Sequence, residues 1–88
     1  MLIPVHHTTF DREVDRAKKR GWDMSKLKNI MEKLVHEKPL DPKHRNHRLK
    51  GEFVGHWECH IEPDWLLIYK KTNTHIYFAR TGTHSDLF

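Results

Sequence analysis

The chain has 88 residues, with 16 lysines and arginines against 12 aspartates and glutamates, nine histidines and one cysteine, for a formal charge of +4 with histidine neutral. That length predicts a single domain with a small core, and the lone cysteine excludes an internal disulfide framework. No apolar run approaches a membrane span, and Met-Leu-Ile-Pro-Val is too short and too soon polar for a secretory core. The expected setting is therefore a reducing cytoplasm without membrane contact, with the encoded chain as the mature chain. The basic excess favours a polyanionic partner, nucleic acid or an acidic protein, without choosing between them.

Leu2 to Val5 reads as a short strand, and Pro4 places it at a sheet edge because it brings no N–H to a ladder. His6 and His7 are adjacent and read as surface. Thr9 is a candidate cap for a first helix that carries Asp11 in its first turn and Phe10, Val14 and Ala17 at helical spacing, with Gly21 as its stop. A second helix begins near Asp23 and lines up Met24, Leu27, Ile30, Met31, Leu34 and Val35 on one stripe, with Lys26, Asn29, Lys33 and Glu37 opposite. Trp22 falls at the junction, where its ring is best buried. The pair predicts a helical hairpin over a sheet.

From Lys38 to Lys50 the periodicity is lost, prolines stand at 39 and 42, and basic residues and histidines crowd together. Lys43 and His44 read as solvated loop residues. Leu49 and Gly51 suggest that the segment docks on the core, which would hold His47 more firmly than a loop otherwise does. From Val54 the pattern is a meander: a strand to Glu62, a second from Trp65 to Lys71, a turn at Thr72-Asn73-Thr74 and a third from His75 to Thr81. In the first strand Trp57, Cys59 and Ile61 alternate with His56, Glu58, His60 and Glu62, so one face packs and the other shows titratable groups. Cys59, on the packed face, reads as a buried thiol. In the last strand Ile76, Phe78 and Arg80 share a face, and Leu87 and Phe88 are expected to anchor the tail. The order β-α-α-β-β-β, with a short C-terminal tail or helix, is that of an α+β domain whose sheet is mainly antiparallel.

His47, His60, Asp64, Arg80 and His84 all fall at strand ends, turns or the tail, outside the apolar stripes, and a sheet could gather them into one cleft. Imidazoles titrate near neutral pH, a carboxylate can take a proton or orient an imidazole, and a guanidinium neutralises a phosphate. That inventory suits RNA cleavage, in which the ribose 2′-hydroxyl is the nucleophile and the enzyme supplies neither nucleophile nor metal. A zinc site on His56, Glu58 and His60 is an alternative, since alternate strand positions share a face. A non-catalytic RNA- or protein-binding module is another, although mere binding needs no set of proton-transfer groups. A Ser85–His84–Asp64 nucleophilic site lacks any Gly-x-Ser-x-Gly elbow.

Three runs carry a resemblance: Asn46-His47-Arg48-Leu49-Lys50-Gly51, His60-Ile61-Glu62-Pro63-Asp64-Trp65-Leu66-Leu67-Ile68-Tyr69, and Arg80-Thr81-Gly82-Thr83-His84-Ser85-Asp86-Leu87-Phe88. In this order, with two helices before them, they resemble the YafQ branch of the RelE-type toxins, ribosome-dependent messenger-RNA endonucleases of toxin–antitoxin pairs. The resemblance implies a RelE-like sheet with helices packed on one face and a metal-independent, cofactor-free cut in messenger RNA lying in the ribosomal A site. It also implies a cognate antitoxin of the DinJ/RelB type, through which alone the toxin meets DNA. Catalytic roles are then implied for His47, His60, Asp64 and His84, and substrate contacts for Arg80 and Phe88. Arg48 and Lys50 are candidate phosphate contacts beside them. Arg48 stands where proline is common in that branch, and His44, His56 and Cys59 are not part of its pattern.

Overall fold

The computed structural model describes residues 1–88 and runs β1 (Ile3–His6), α1 (Thr8–Lys19), α2 (Met24–Val35), β2 (His47–Arg48), β3 (Trp57–Glu62), β4 (Trp65–Lys71), β5 (His75–Gly82) and α3 (His84–Leu87), with 3₁₀ turns at Pro42–His44 and Gly51–Phe53. One sheet holds all five strands in the order β1-β5-β4-β3-β2. Only the β1–β5 pair is parallel. β1 is an edge, as Pro4 requires. Central β4 is buried from Trp65 through Tyr69, which is why its apolar run is unbroken: a strand covered on both faces has no polar side to alternate with.

The larger core lies between the sheet and the first two helices, where Phe10 and Ala17 of α1 and Leu27, Ile30 and Leu34 of α2 meet Cys59, Leu67, Tyr69, Ile76 and Phe78. Trp22 packs in the junction against Trp65 at 4.9 Å between ring centroids. Leu66, Ile68, Ala79 and Leu87 form a second, smaller cluster on the opposite face, with Leu49 and Phe53 against it. The face of β3 expected to be open is therefore covered, and Glu58 lies buried beneath it.

The helix ends follow their chemistry. Asp23 caps α2 by accepting from the Ser25 N–H at 2.9 Å. Gly21, at φ +81°, closes α1 with bonds from its own N–H to Lys18 and from the Trp22 N–H to Ala17, the paired arrangement that a left-handed residue allows. The start of α1 differs from the sequence expectation. The helix begins at Thr8 after an extended His7 that gives no side-chain cap, and Thr9 is already inside the first turn.

β3 also starts later than Val54, because the 3₁₀ turn at Gly51–Phe53 and left-handed Gly55 bend the chain away until Trp57. Two bulges interrupt the strand alternation. The β3–β4 register shifts between His60 and Glu62, and the β4–β5 register pairs Arg80 with Ile68 but Phe78 with Tyr69. Arg80 therefore leaves the face of Ile76 and Phe78 and joins that of Ile68, because the extra residue in the strand resets its side-chain parity. In the tail, Leu87 is buried but Phe88 is 65% exposed, so of these two apolar residues only Leu87 packs into the core.

Candidate active site

The register gathers the site before any side chain is considered. His47 opposes Glu58, Glu58 opposes Ile68 and Ile68 opposes Arg80, one row across β2, β3, β4 and β5 on the face that α3 covers. In the next row His60 opposes Leu66, and Leu66 opposes Gly82. Gly82 leads directly into α3, which brings His84 over His60 with ring centroids 5.6 Å apart.

Each of these side chains has a definite holder. His84 Nδ1–H donates to Asp64 Oδ1 at 2.6 Å, and the His84 backbone N–H donates to the same oxygen at 2.9 Å. That arrangement leaves Nε2 as the free ring nitrogen. The backbone N–H of His84, and after it the ring, holds the Asp64 carboxyl below its ordinary value. His47 Nδ1–H donates to the Arg45 carbonyl at 2.7 Å, with its ring centroid 6.4 Å from that of His60. Asn46 beside it accepts the buried Tyr69 hydroxyl at 2.7 Å, tying the loop to β4. Leu49 docks the segment on the smaller core cluster as expected, and Asn46 adds a polar tie to it.

Sequence reasoning missed the buried carboxylate. Glu58 Oε1 lies 3.2 Å from His60 Nε2 and 3.6 Å from His47 Nε2, a negative charge under two imidazoles. Its alternation with His56 and His60 was visible, but nothing in the sequence reported that Leu49, Phe53 and Leu87 would close that face. His44 is a second correction. It is no solvated loop residue: part-buried, it donates from Nδ1 to the His60 carbonyl at 2.6 Å. β2 pairs only with Trp57 and Glu58, so the edge of β3 beyond is unpartnered, and a backbone acceptor there needs another donor.

Arg80 reaches the site already paired. Its Nε and Nη2 donate to Glu13 of α1 at 2.8 and 3.0 Å, and the Glu13 bond raises its pKa further. Phe88 stacks edge-on against Phe53 at 5.7 Å and otherwise faces solvent. Arg48 and Lys50 do not join the cluster. Arg48 follows His47 and so points to the other face, where it covers the Trp57 ring at 5.3 Å. Lys50 is exposed just before the second 3₁₀ turn. His56 sits in the loop before β3 with its ring edge on Phe53, and no three His, Cys, Asp or Glu side chains are arranged to hold a metal ion. Burial pushes the Cys59 thiol up to about 12, as expected for a packed residue rather than a nucleophile.

A small α+β domain with imidazoles and an ionised carboxylate converging at one end of its sheet belongs to a class equipped for proton transfer on a substrate laid across it. The family model for the bacterial toxin of the type II toxin–antitoxin system, YafQ, matches residues 3–88. A relative named "mRNA interferase toxin YafQ" from Escherichia coli K12 is 44% identical over 80 residues, covering 90% of this chain and 87% of that protein. Among solved structures, YafQ from E. coli BL21(DE3) superposes with a TM-score of 0.95 at 38% identity, over 100% of this chain and 99% of that one. The E. coli DinJ–YafQ toxin–antitoxin complex matches with a TM-score of 0.92 at 40% identity, over 99% of this chain and 97% of that one. The chain belongs to the YafQ family of type II toxins. No helix in it is long and apolar enough to cross a membrane.

Proposed function

We propose that this chain is an mRNA interferase, the toxin of a type II toxin–antitoxin pair, which cuts messenger RNA in the ribosomal A site. The observation that carries the proposal is the His84–Asp64 pair held over His60. A ring whose Nδ1 proton is fixed by a carboxylate presents Nε2 for proton transfer, and a second imidazole stands beside it at 5.6 Å between centroids, so one substrate can meet both. In this reading His60, Asp64 and His84 serve acid–base catalysis, and His47 supports them next to Glu58. Arg80, pre-oriented by Glu13, faces the phosphate, and Phe88 places a base by stacking. The 2′-hydroxyl beside the scissile phosphate is the attacking group, the 5′-oxygen leaves with a proton from the enzyme, and the upstream fragment keeps a 2′,3′-cyclic phosphate. No cofactor enters this scheme.

The antitoxin partner follows from the family and from the DinJ–YafQ complex described for the E. coli relative. A DinJ/RelB-like protein would neutralise this chain and carry the DNA contact. Inducing the chain in cells and mapping messenger-RNA 5′ ends by reading frame tests the activity. New ends at a fixed position within codons are expected, whereas growth arrest without in-frame ends would contradict it.

A further inference from the structure

Alongside the unpartnered edge of β3 runs a cleft of about 700 Å³ between α2 and the Pro42–His44 turn, lined also by His60 and His84. Because His60 and His84 line it, the cleft is continuous with the catalytic site and extends it past the edge of β3 toward α2. Only two of its 13 lining residues are hydrophobic, and it carries four cations against two carboxylates. One of those cations, Lys26, is already engaged by Glu62. Lys33, Lys43 and Arg45 make no ion pair within the chain, so their charge is available to a ligand.

The wall holding two of these cations is fixed in place. Arg45 is left-handed at φ +44°, an uncommon and costly conformation for a residue with a side chain. That turn directs its carbonyl to His47 Nδ1, while the neighbouring His44 grips the His60 carbonyl. With Nδ1 committed to the backbone, His44 Nε2 is the ring atom left for the cleft it lines. Cations that line one cleft together with the groups that would cut a phosphodiester suit a polyanion.

We infer that this cleft is a subsite for single-stranded RNA, in which Lys33, Lys43 and Arg45 bind phosphates flanking the scissile bond and His44 Nε2 contacts the same nucleotides. The inference rests on the reading of this chain as an RNA-cutting toxin. It adds phosphate contacts on α2 and the 3₁₀ turn to the catalytic histidines at the same cleft.

The test uses the full chain and a 2′-O-methyl RNA hexanucleotide, which cannot react through its 2′ position. Affinity is measured across a salt series for the native chain and for Lys33→Glu and Lys43→Glu, both changes on side chains with no partner to lose. Each reversal is expected to weaken binding about tenfold at low salt and to flatten the slope of log K against log salt by about 0.7, the contribution of one single-strand phosphate. On ribosomes the same variants should raise KM with kcat nearly held, because the proton-transfer groups are untouched. A His44→Asn variant, able to keep a donor to the His60 carbonyl while losing Nε2, should likewise raise KM alone. Unchanged affinity and slope in both reversals, with native cleavage intact, would overturn the subsite while leaving the activity standing. A native chain that cuts nothing would instead fault the functional reading. Weakened antitoxin binding with RNA affinity unchanged would assign the cleft to an acidic protein segment and also overturn the inference.

Discussion

His84 depends on two contacts with a single oxygen, and both come from Asp64 at the β3–β4 turn. Replacing His84 with Ala removes only a half-exposed ring, so the fold should persist. Toxicity should fall in line with a loss of about 10²- to 10⁴-fold in rate, the usual contribution of a general acid or base. Growth arrest under matched expression reads this directly, and an undiminished arrest would remove His84 from the mechanism. Asp64 makes a separate prediction. Its carboxyl is held below its ordinary value by the His84 backbone N–H and ring, so it stays ionised throughout the range above about pH 5. Any change of rate between about pH 5 and pH 8 therefore belongs to other groups. Asp64→Asn should lower single-turnover rates by on the order of 10²-fold or more through loss of the fixed tautomer, and a pH profile whose acid limb vanished in this variant would contradict the assignment.

At the scale of elements, α3 is only four residues long and is held from outside. Thr83 and Asp86 cap each other across its first turn, and Asp86 also accepts both Arg20 contacts at 2.7 and 3.1 Å from the end of α1. The Arg20 guanidinium, with the Thr83 backbone N–H, holds the Asp86 carboxyl well below the usual carboxylate range. A carboxyl depressed on folding contributes stability that is complete above its unfolded value, near pH 4, and is lost as pH falls through the folded value. Arg20→Ala should therefore lower Tm at neutral pH and make its fall below about pH 4 shallower, which thermal melts at several pH values would show; an unchanged slope would deny the coupling. Gly82 is required by the same arrangement. A Cβ there would stand 2.9 Å from Asp86 Oδ2, an oxygen that cannot retreat without releasing Thr83 and Arg20. Gly82→Ala should destabilise by about 1–3 kcal/mol, as overpacking does, and should loosen His84 with it.

What could be read from the sequence follows from which interactions are local. The α2 stripe, its start near Asp23, the Gly21 stop and the unbroken apolar run of β4 are each fixed by a few neighbouring residues, and each was legible. The Asp64–His84 pairing joins residues 20 apart, yet both stood out as polar groups at strand ends. The bulges at His60 and Arg80 were not legible, because an extra residue in one strand shows only against its partner. Glu58, Glu13 and His44 were missed for a related reason: each is defined by a distant element that covers or meets it.

As a whole molecule the chain carries +4 before its histidines are counted and leaves a polar cleft and an acid–base cluster open to solvent. A free toxin of this charge needs a partner that competes with RNA phosphates, and opposite charge both speeds and favours that contact. Co-expression with the protein encoded beside it should yield a co-purifying complex and restore growth, with an acidic or amphipathic segment over Arg45 and the neighbouring cations. A neighbour that neither bound nor protected would count against the toxin–antitoxin reading.

The central claim is that the substrate supplies its own nucleophile while His60, Asp64 and His84 move protons. The most direct measurement places a single 2′-deoxy nucleotide at the cut codon of a ribosome-bound messenger RNA and follows cleavage at that bond. Cleavage should stop there and persist on the all-ribose message, whose upstream fragment should end in a 2′,3′-cyclic phosphate or its 3′-phosphate hydrolysis product. A water-activating nuclease would tolerate the deoxy sugar. Efficient cutting of the 2′-deoxy message would contradict the mechanism, even in a chain that proved fully toxic.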